Sequence, residues 1–355
     1  MALSNLARDI LSQPSSLLAV IEHQRGDGAE ALAKAAALLR SAKRVVITGM
    51  GASLFASIPL EYSLCSAGIH AVTVEAGEFL HYRHQGLRDA VAVVVSRSGE
   101  SIEIARILKE IKGRMPIIGV SNEPQSSLAR NAEISISIGS LADEYVAIQT
   151  YTGTLFTFYL LAAATCNDAD PAKRAEREVL PPFAGLVQRS MSGTCAWDDF
   201  LNPEAPVYLL ARGPSCASAY EGALLFNEVA KSPAIGMAAA SFRHGPVEVV
   251  DSRFRGFIFA PHGNTEHLNR ALARDLERFG GGVRVIGPVL PGSAPQPQLC
   301  EIPAVPESLA PLFEIVPVQA AALRMSELRG IRPGVFCYAP QVAVDEASFG
   351  LSKES

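Results

Sequence analysis

Three groups of residues have types and spacings that could do chemistry. The first is Ser96-Arg97-Ser98-Gly99-Glu100-Ser101, which follows the apolar run Val91–Val95 and precedes the helical pattern of Ile102–Ile111. Hydroxyls, backbone amides and a guanidinium at a helix N-terminus suit a phosphate dianion. Ser98 or Ser101 would equally serve as an ordinary helix N-cap, so the loop alone leaves both readings open. The second is Thr48-Gly49-Met50-Gly51-Ala52-Ser53, whose hydroxyls at Thr48 and Ser53 could join the same anion site. Its Gly-x-Gly turn invites a dinucleotide reading with Glu75 on the ribose. That fingerprint needs a small residue where Leu54 stands, so the sequence argues against NAD. The third is Glu228 with Ser241-Phe-Arg-His-Gly-Pro246, in which Gly-Pro leaves the imidazole of His244 at a turn. Read alone, His244 is more readily structural than catalytic, and Arg97 is a surface cation as readily as a ligand. A carboxylate and an imidazole near a phosphate site suit sugar isomerisation. The carboxylate moves a proton between C1 and C2, and the imidazole opens the ring. His262 and His267 have no comparable setting.

The elements that position these groups follow from periodicity. Val91–Val95 reads as a parallel strand buried on both faces. Ile102, Ala105, Ile107, Leu108 and Ile111 keep helical spacing, so the loop sits at the carboxyl edge of a sheet, where ligands bind in open α/β folds. Strands are expected at 44–48, 71–75, 91–95, 116–120 and 134–138, and again at 206–211, 255–261 and 282–287. Long helices follow the turns at Gly49–Ser53 and Arg212–Ser215. Val45–Ser53 and Val207–Ser215 share a strand–turn–helix scheme about 160 residues apart, which argues duplicated domains. The expectation is two doubly wound, parallel-sheet, flavodoxin-like α/β domains. Residues 1–43 form a helical segment broken at Gln13-Pro14, 44–166 the first domain and 167–200 a connector. Residues 201–330 form the second domain and 331–355 an irregular tail.

Composition bounds the function classes. The chain has 355 residues, 48% hydrophobic and 19% charged, with a net charge of -5. It is too apolar for disorder, and its charge gives no reason to expect nucleic acid or anionic lipid. An anionic substrate therefore needs local donors. Cys65, Cys166, Cys195, Cys216, Cys300 and Cys337 show no metal-ligand spacing, so no metal is expected. The N-terminus lacks a signal-peptide core, and Leu155–Thr165 is too short to span a bilayer, so the cytoplasm is the expected location.

Taken together in order, the motifs resemble the sugar isomerase (SIS) family over nearly the whole chain. Within it they are most similar to the isomerase half of glucosamine-6-phosphate synthases and to stand-alone amino-sugar-phosphate deaminases and deglycases. Arg8-Asp-Ile-Leu-Ser-Gln-Pro14 resembles the opening E-I-x-E-Q-P, and Ser96–Ser101 matches S-x-S-G-E-[ST]. Ser121-Asn-Glu-Pro-Gln-Ser-Ser-Leu128 resembles the next loop, and Glu221–Glu228 matches E-G-A-L-x-x-x-E. Arg243–Pro246 matches [KR]-H-G-P, Val316–Gln319 matches V-P-x-Q, and Gly350–Lys353 resembles the terminal [LS]-[AS]-K. The resemblance implies that Ser53, Ser96, Ser98 and Ser101 hold phosphate beside Arg97 and the Gly51 turn. It implies that Glu228 is the C1/C2 base and that His244, supplied by the partner subunit of a homodimer, opens the ring. Lys353 on the tail would bring an amine to the carbonyl, and no cofactor is implied. The sequence departs from the family where Ala147 and Gln149 replace a hydroxyl and a lysine. Met1 is followed by Ala2 rather than a glutamine-hydrolysing Cys. The implied activity is isomerisation or deamination of an amino-sugar phosphate such as glucosamine 6-phosphate. Cleavage of sugar-phosphate–amine adducts and non-catalytic sensing stand as alternatives.

Overall fold

Runs rich in Val and Ile form two all-parallel, five-stranded sheets. The computed structural model describes residues 3–168, 170–193, 197–201, 206–290, 298–338, 342–343 and 345–346. They fall into two compact units. One comprises Ser15–Arg177 with Phe336–Ser355, the other Met1–Pro14 with Glu178–Val335.

The first unit takes helix α1 (Asn5–Arg25) from Ser15 onward, then α2 (Ala29–Ser41), β1 (Arg44–Gly49), α3 (Gly51–Ser66), β2 (His70–Glu75) and the short α4 (Ala76–Glu78). It continues through β3 (Val91–Val95), α5 (Ile102–Ile111), β4 (Ile117–Ser121), α6 (Ser127–Asn131), β5 (Ile134–Ser137) and α7 (Gln149–Thr165). The strand order is β2-β1-β3-β4-β5. β3 and β4 are buried throughout, which explains their unbroken apolar runs. Val46, Val94, Phe79, Ile104, Ile107 and Leu108 pack into one core under α5. The order reverses between β1 and β3, so the loops after these two strands share the crevice at the sheet's carboxyl edge.

Helix α8 (Pro171–Glu178) leads into the second unit, which contains α9 (Leu180–Gly193), α10 (Asp198–Leu201), β6 (Val207–Ala211), α11 (Cys216–Ala230), β7 (Ala234–Ala238) and α12 (Ala239–Phe242). β8 (Arg255–Phe259), α13 (Glu266–Arg278), β9 (Gly282–Gly287), β10 (Leu299–Glu301) and α14 (Ala310–Leu328) complete it. Its order, β10-β9-β8-β6-β7, repeats that of the first sheet when its strands are renumbered from β6. Among the described residues, no helix is long and apolar enough to cross a membrane.

Two expectations are corrected. Pro14 does not break the first helix, because α1 runs through it to Arg25. Pro14 has no N–H to give the Ile10 carbonyl, but the side-chain Nε2 of Gln13 donates to that oxygen at 3.1 Å. The second sheet also has five strands rather than three. β7 is the small-residue segment Ala-Ile-Gly-Met-Ala, and β10 is three residues long after a Pro-rich stretch, so neither carries a strong pattern.

Candidate functional site

In the first unit, Gly51 opens α3 with φ +48°, and the preceding Met50 is extended. This sharp turn turns the α3 amides toward the sheet edge and places Ser53 in the first turn. The Ser53 hydroxyl makes no hydrogen bond among the described residues. Thr48, at the end of β1, is fully buried and its hydroxyl has no partner among the described residues. On the neighbouring strand end, the Ser96 hydroxyl accepts from the Gly99 amide at 3.1 Å and the Ser98 hydroxyl from the Glu100 amide at 3.3 Å. These serines brace the loop through their lone pairs, and each hydroxyl proton stays available to an anion.

The helix-cap reading of the loop does not hold. Ser101 occupies the N-cap position of α5, but its side chain makes no capping bond, and Ser98 bonds inside the loop. Gly99 has φ +66°, and a Cβ there would lie 2.3 Å from the Ser126 hydroxyl, so glycine is required. Glu100 points its carboxylate at α6, where it accepts from the Ser127 amide at 2.6 Å and hydroxyl at 2.7 Å. Those bonds hold its carboxyl below the usual range and commit the negative charge to α6 rather than to the anion loop.

Arg97 donates to the Tyr145 carbonyl at 3.0 Å and lines a recess with Ser53, Ala147, Thr150 and Thr154. The recess is about 10 Å³, room for a water molecule and too small for a phosphate-sized anion. Asp143 caps α7. It accepts from the amides of Gln149 (2.7 Å) and Thr150 (3.0 Å), while burial pushes its carboxyl up against those bonds. Gln149 is buried, and its Nε2 donates to the Ala142 carbonyl at 3.1 Å. The position where the family often carries lysine is therefore spent here on holding the α7 entry loop.

Part of the tail reaches this edge. The Ile102 amide, first in α5, donates to the Ala343 carbonyl at 3.0 Å. One helical turn on, Arg106 donates to Glu346, whose other oxygen lies 2.6 Å from His81 Nε2. Lys353 lies outside the described residues.

In the second unit, Glu228 is half-buried near the C-terminus of α11. That end is fixed firmly. Lys231 adopts φ +50°, its amide and that of Ser232 donate to Phe226, and its Nζ reaches the Glu228 carbonyl at 2.6 Å. The Asn227 side chain accepts from the Ala234 amide at 3.1 Å. His244 lies past α12 in an exposed turn with Arg243 and Gly245 (φ +127°).

Glu228 and His244 of one chain are not brought together. α11 crosses β7 where Gly236 abuts the backbone of Ala219 and Tyr220. Glu228 lies roughly 13 Å farther down the helix, toward the start of β7. His244 lies beyond the opposite end of that strand. β7 is an edge strand that exposes Ile235 near its start, and Val249 is exposed in the turn that follows His244.

A duplicated doubly wound α/β fold, with an anion-suited crevice at its first switch point, defines a class of ligand-binding α/β proteins. The chain belongs to the SIS domain family, whose model matches residues 38–164 and 200–328. It is 27% identical over 335 residues to the glutamine–fructose-6-phosphate aminotransferase [isomerizing] of Pyrococcus horikoshii, covering 92% of this chain and 55% of that protein. The chain thus spans about half the length of the curated relatives it matches. In fold it is similar to the C-terminal domain of glucosamine-fructose-6-phosphate aminotransferase from Francisella tularensis, with a TM-score of 0.80 at 19% identity, covering 93% of this chain and 97% of that one. Glucosamine-6-phosphate deaminase from Thermotoga maritima aligns with a TM-score of 0.72 at 19% identity, covering 96% and 99%.

Proposed function

We propose that this chain, as a homodimer, isomerises an amino-sugar phosphate between its aldose and ketose forms and releases the 2-amino group, with glucosamine 6-phosphate as the working substrate. The observation that carries this reading is the paired turns after β1 and β3, which present serine hydroxyls and helix-N-terminal amides, while the nearby carboxylates Glu100 and Asp143 are bound to α6 and α7. The names of the relatives point to the same substrate class.

The phosphate is held by Ser53, Ser96, Ser98 and Ser101, by the amides of the Gly51 turn, and by the charge of Arg97. The partner subunit's His244 moves the proton between the anomeric hydroxyl and the ring oxygen, which opens the ring. Glu228 then takes the C2 proton and returns it to C1, converting the aldehyde with its 2-amine into a 2-imine. Addition of water to that imine and loss of ammonia leave fructose 6-phosphate. Lys353 supplies an amine near the carbonyl. It stands seven residues beyond Glu346, within roughly 23 Å of extended chain. The separation of Glu228 and His244 within one chain, and the exposure of His244, support donation of the imidazole across a dimer.

The test incubates the protein with glucosamine 6-phosphate and measures ammonia and fructose 6-phosphate in equal amounts. Fructose 6-phosphate formed from glucose 6-phosphate, without any ammonia-yielding reaction, narrows the activity to isomerisation. Binding without turnover of any sugar phosphate refutes the enzymatic reading.

A further inference from the structure

The second unit contains a cavity of about 290 Å³ lined by α9, β10 and α14. It is separate from Glu228 and His244, and the proposed reaction makes no use of it. Leu186, Trp197 and Pro317 form its apolar walls, and Arg189 and Ser190 supply polar groups. Pro317 lies inside α14, where the missing N–H interrupts the helical ladder beside the cavity.

The unusual feature of this region is its cations. Arg284 is half-buried on β9, with its guanidinium carbon 5.8 Å from the centre of the Trp197 ring and 4.8 Å from that of Phe200. Its guanidinium donates to the Val283 carbonyl at 3.2 Å, and its buried Nε has no acceptor among the described residues. Burial lowers its pKa, as expected for a cation with no acid in contact. Buried donors without acceptors are uncommon, and this one flanks the cavity. Cys300, which lines the cavity, pairs in register with Ile286, two residues from Arg284, so all three point to the same face of the sheet. Arg189 likewise makes no ion pair or hydrogen bond among the described residues. The acid lining the cavity is Glu301. Glu277 and Arg255 also act on Arg284, so three guanidiniums stand against two carboxylates and leave a single positive charge, matched to a monoanion rather than a phosphate dianion. Burial pushes the Cys300 thiol up to about 12, so it acts as a neutral wall and not as a nucleophile.

We propose that this cavity is a binding site for a small carboxylate with a flat apolar body, the carboxylate paired with Arg189 and Arg284 and the body lying against Trp197, Leu186 and Pro317. The volume is at the lower end for ligand pockets and fits a molecule of one or two rings. A carboxylate supplies the acceptor that the guanidinium nitrogens lack.

Trp197 is the single tryptophan of the chain, so its emission reports on this cavity directly. The experiment titrates the full chain with benzoate and phenylacetate, with benzamide as the uncharged match and inorganic phosphate as the dianion, following Trp197 emission and melting temperature. Benzoate or phenylacetate is expected to change the emission saturably and raise the melting temperature, with benzamide inert in both readouts and phosphate, which has its own proposed site in the first unit, leaving the Trp197 emission unchanged. Arg189→Gln, at an exposed position, is expected to weaken that binding about tenfold while the unliganded melting temperature stays unchanged. Arg284→Lys, checked for folding by its own melting curve, is expected to weaken it similarly. Non-saturating emission with every probe, equal binding of benzamide, or unaltered affinity in Arg189→Gln overturns the proposal.

Discussion

The turn after β1 and the turn after β6 have nearly the same backbone and opposite fates. Met50 lies at φ −134°, ψ 151° and Arg212 at φ −136°, ψ 155°, followed by Gly51 at φ +48° and Gly213 at φ +59°. Ser53 and Ser215 then occupy equivalent places. Ser53 is half-buried and its hydroxyl is unengaged among the described residues. Ser215 is fully buried and donates to Glu314 at 2.8 Å, and Ser218 donates to the other oxygen of the same carboxylate at 2.7 Å. The difference comes from the last helix of each unit. α7 packs on α3 and brings Thr150 and Thr154 to the turn, whereas α14 packs on α11 and brings Glu314. A duplicated turn is thus left open in one unit and filled by the chain's own carboxylate in the other. The first turn is available for a ligand, and the second has become part of the core beneath α11, the helix that carries Glu228.

This contrast breaks or sharpens under a graded set of changes. The largest effect belongs to Glu228→Gln, expected to lower turnover by roughly a thousandfold while sugar phosphates still raise the melting temperature. Turnover surviving in that variant would separate the reaction from the second unit. Next is the pH dependence set by Glu314, whose carboxyl burial pushes up to about 7 against its two serine bonds, with Glu307 adding to the rise. A group raised on folding stabilises most below its unfolded value and loses that contribution as pH climbs through its folded value. Stability should therefore fall from about pH 4.5 to above 7, by on the order of 3 kcal/mol from this group. Denaturant titrations of Glu314→Gln should show that slope removed. A slope that persists would mean the second turn is not closed by a titrating acid.

Gly99→Ala is expected to cost about 2 kcal/mol, because its φ is left-handed and the new methyl meets Ser126. It should also weaken sugar-phosphate binding, as read by thermal shift. The smallest and most diagnostic pair is Ser53→Ala and Ser215→Ala. The first should raise KM about tenfold, one charge-assisted hydrogen bond, with an unchanged melting temperature. The second should lower stability by about 1–2 kcal/mol and leave KM alone. Equal behaviour of the two variants would show that the turns do not differ in function.

Much of this was legible in the sequence because the signals were local. The run Val91–Val95 stops at Ser96, and the Gly-x-Gly turn follows a strand, so the sheet edge and the anion loop could be located from spacing alone. Whether Ser98 and Ser101 cap α5 was not legible, since that depends on where each hydroxyl turns once the loop closes on Ser126. Glu314 gave no signal, because its partners Ser215 and Ser218 lie 99 and 96 residues away. The tail contacts of Ala343 and Glu346 were hidden for the same reason. β7 was overlooked because Gly236, which admits α11 so closely, also weakens the strand pattern.

That close crossing has a practical outcome. Glu228→Gln and His244→Ala would each be inactive when purified alone, yet blending them and letting subunits exchange should bring activity back. Each hybrid pair would contain one intact carboxylate facing one intact imidazole, which neither parent can assemble. A blend that stays dead would mean the proton-moving pair is drawn from a single polypeptide.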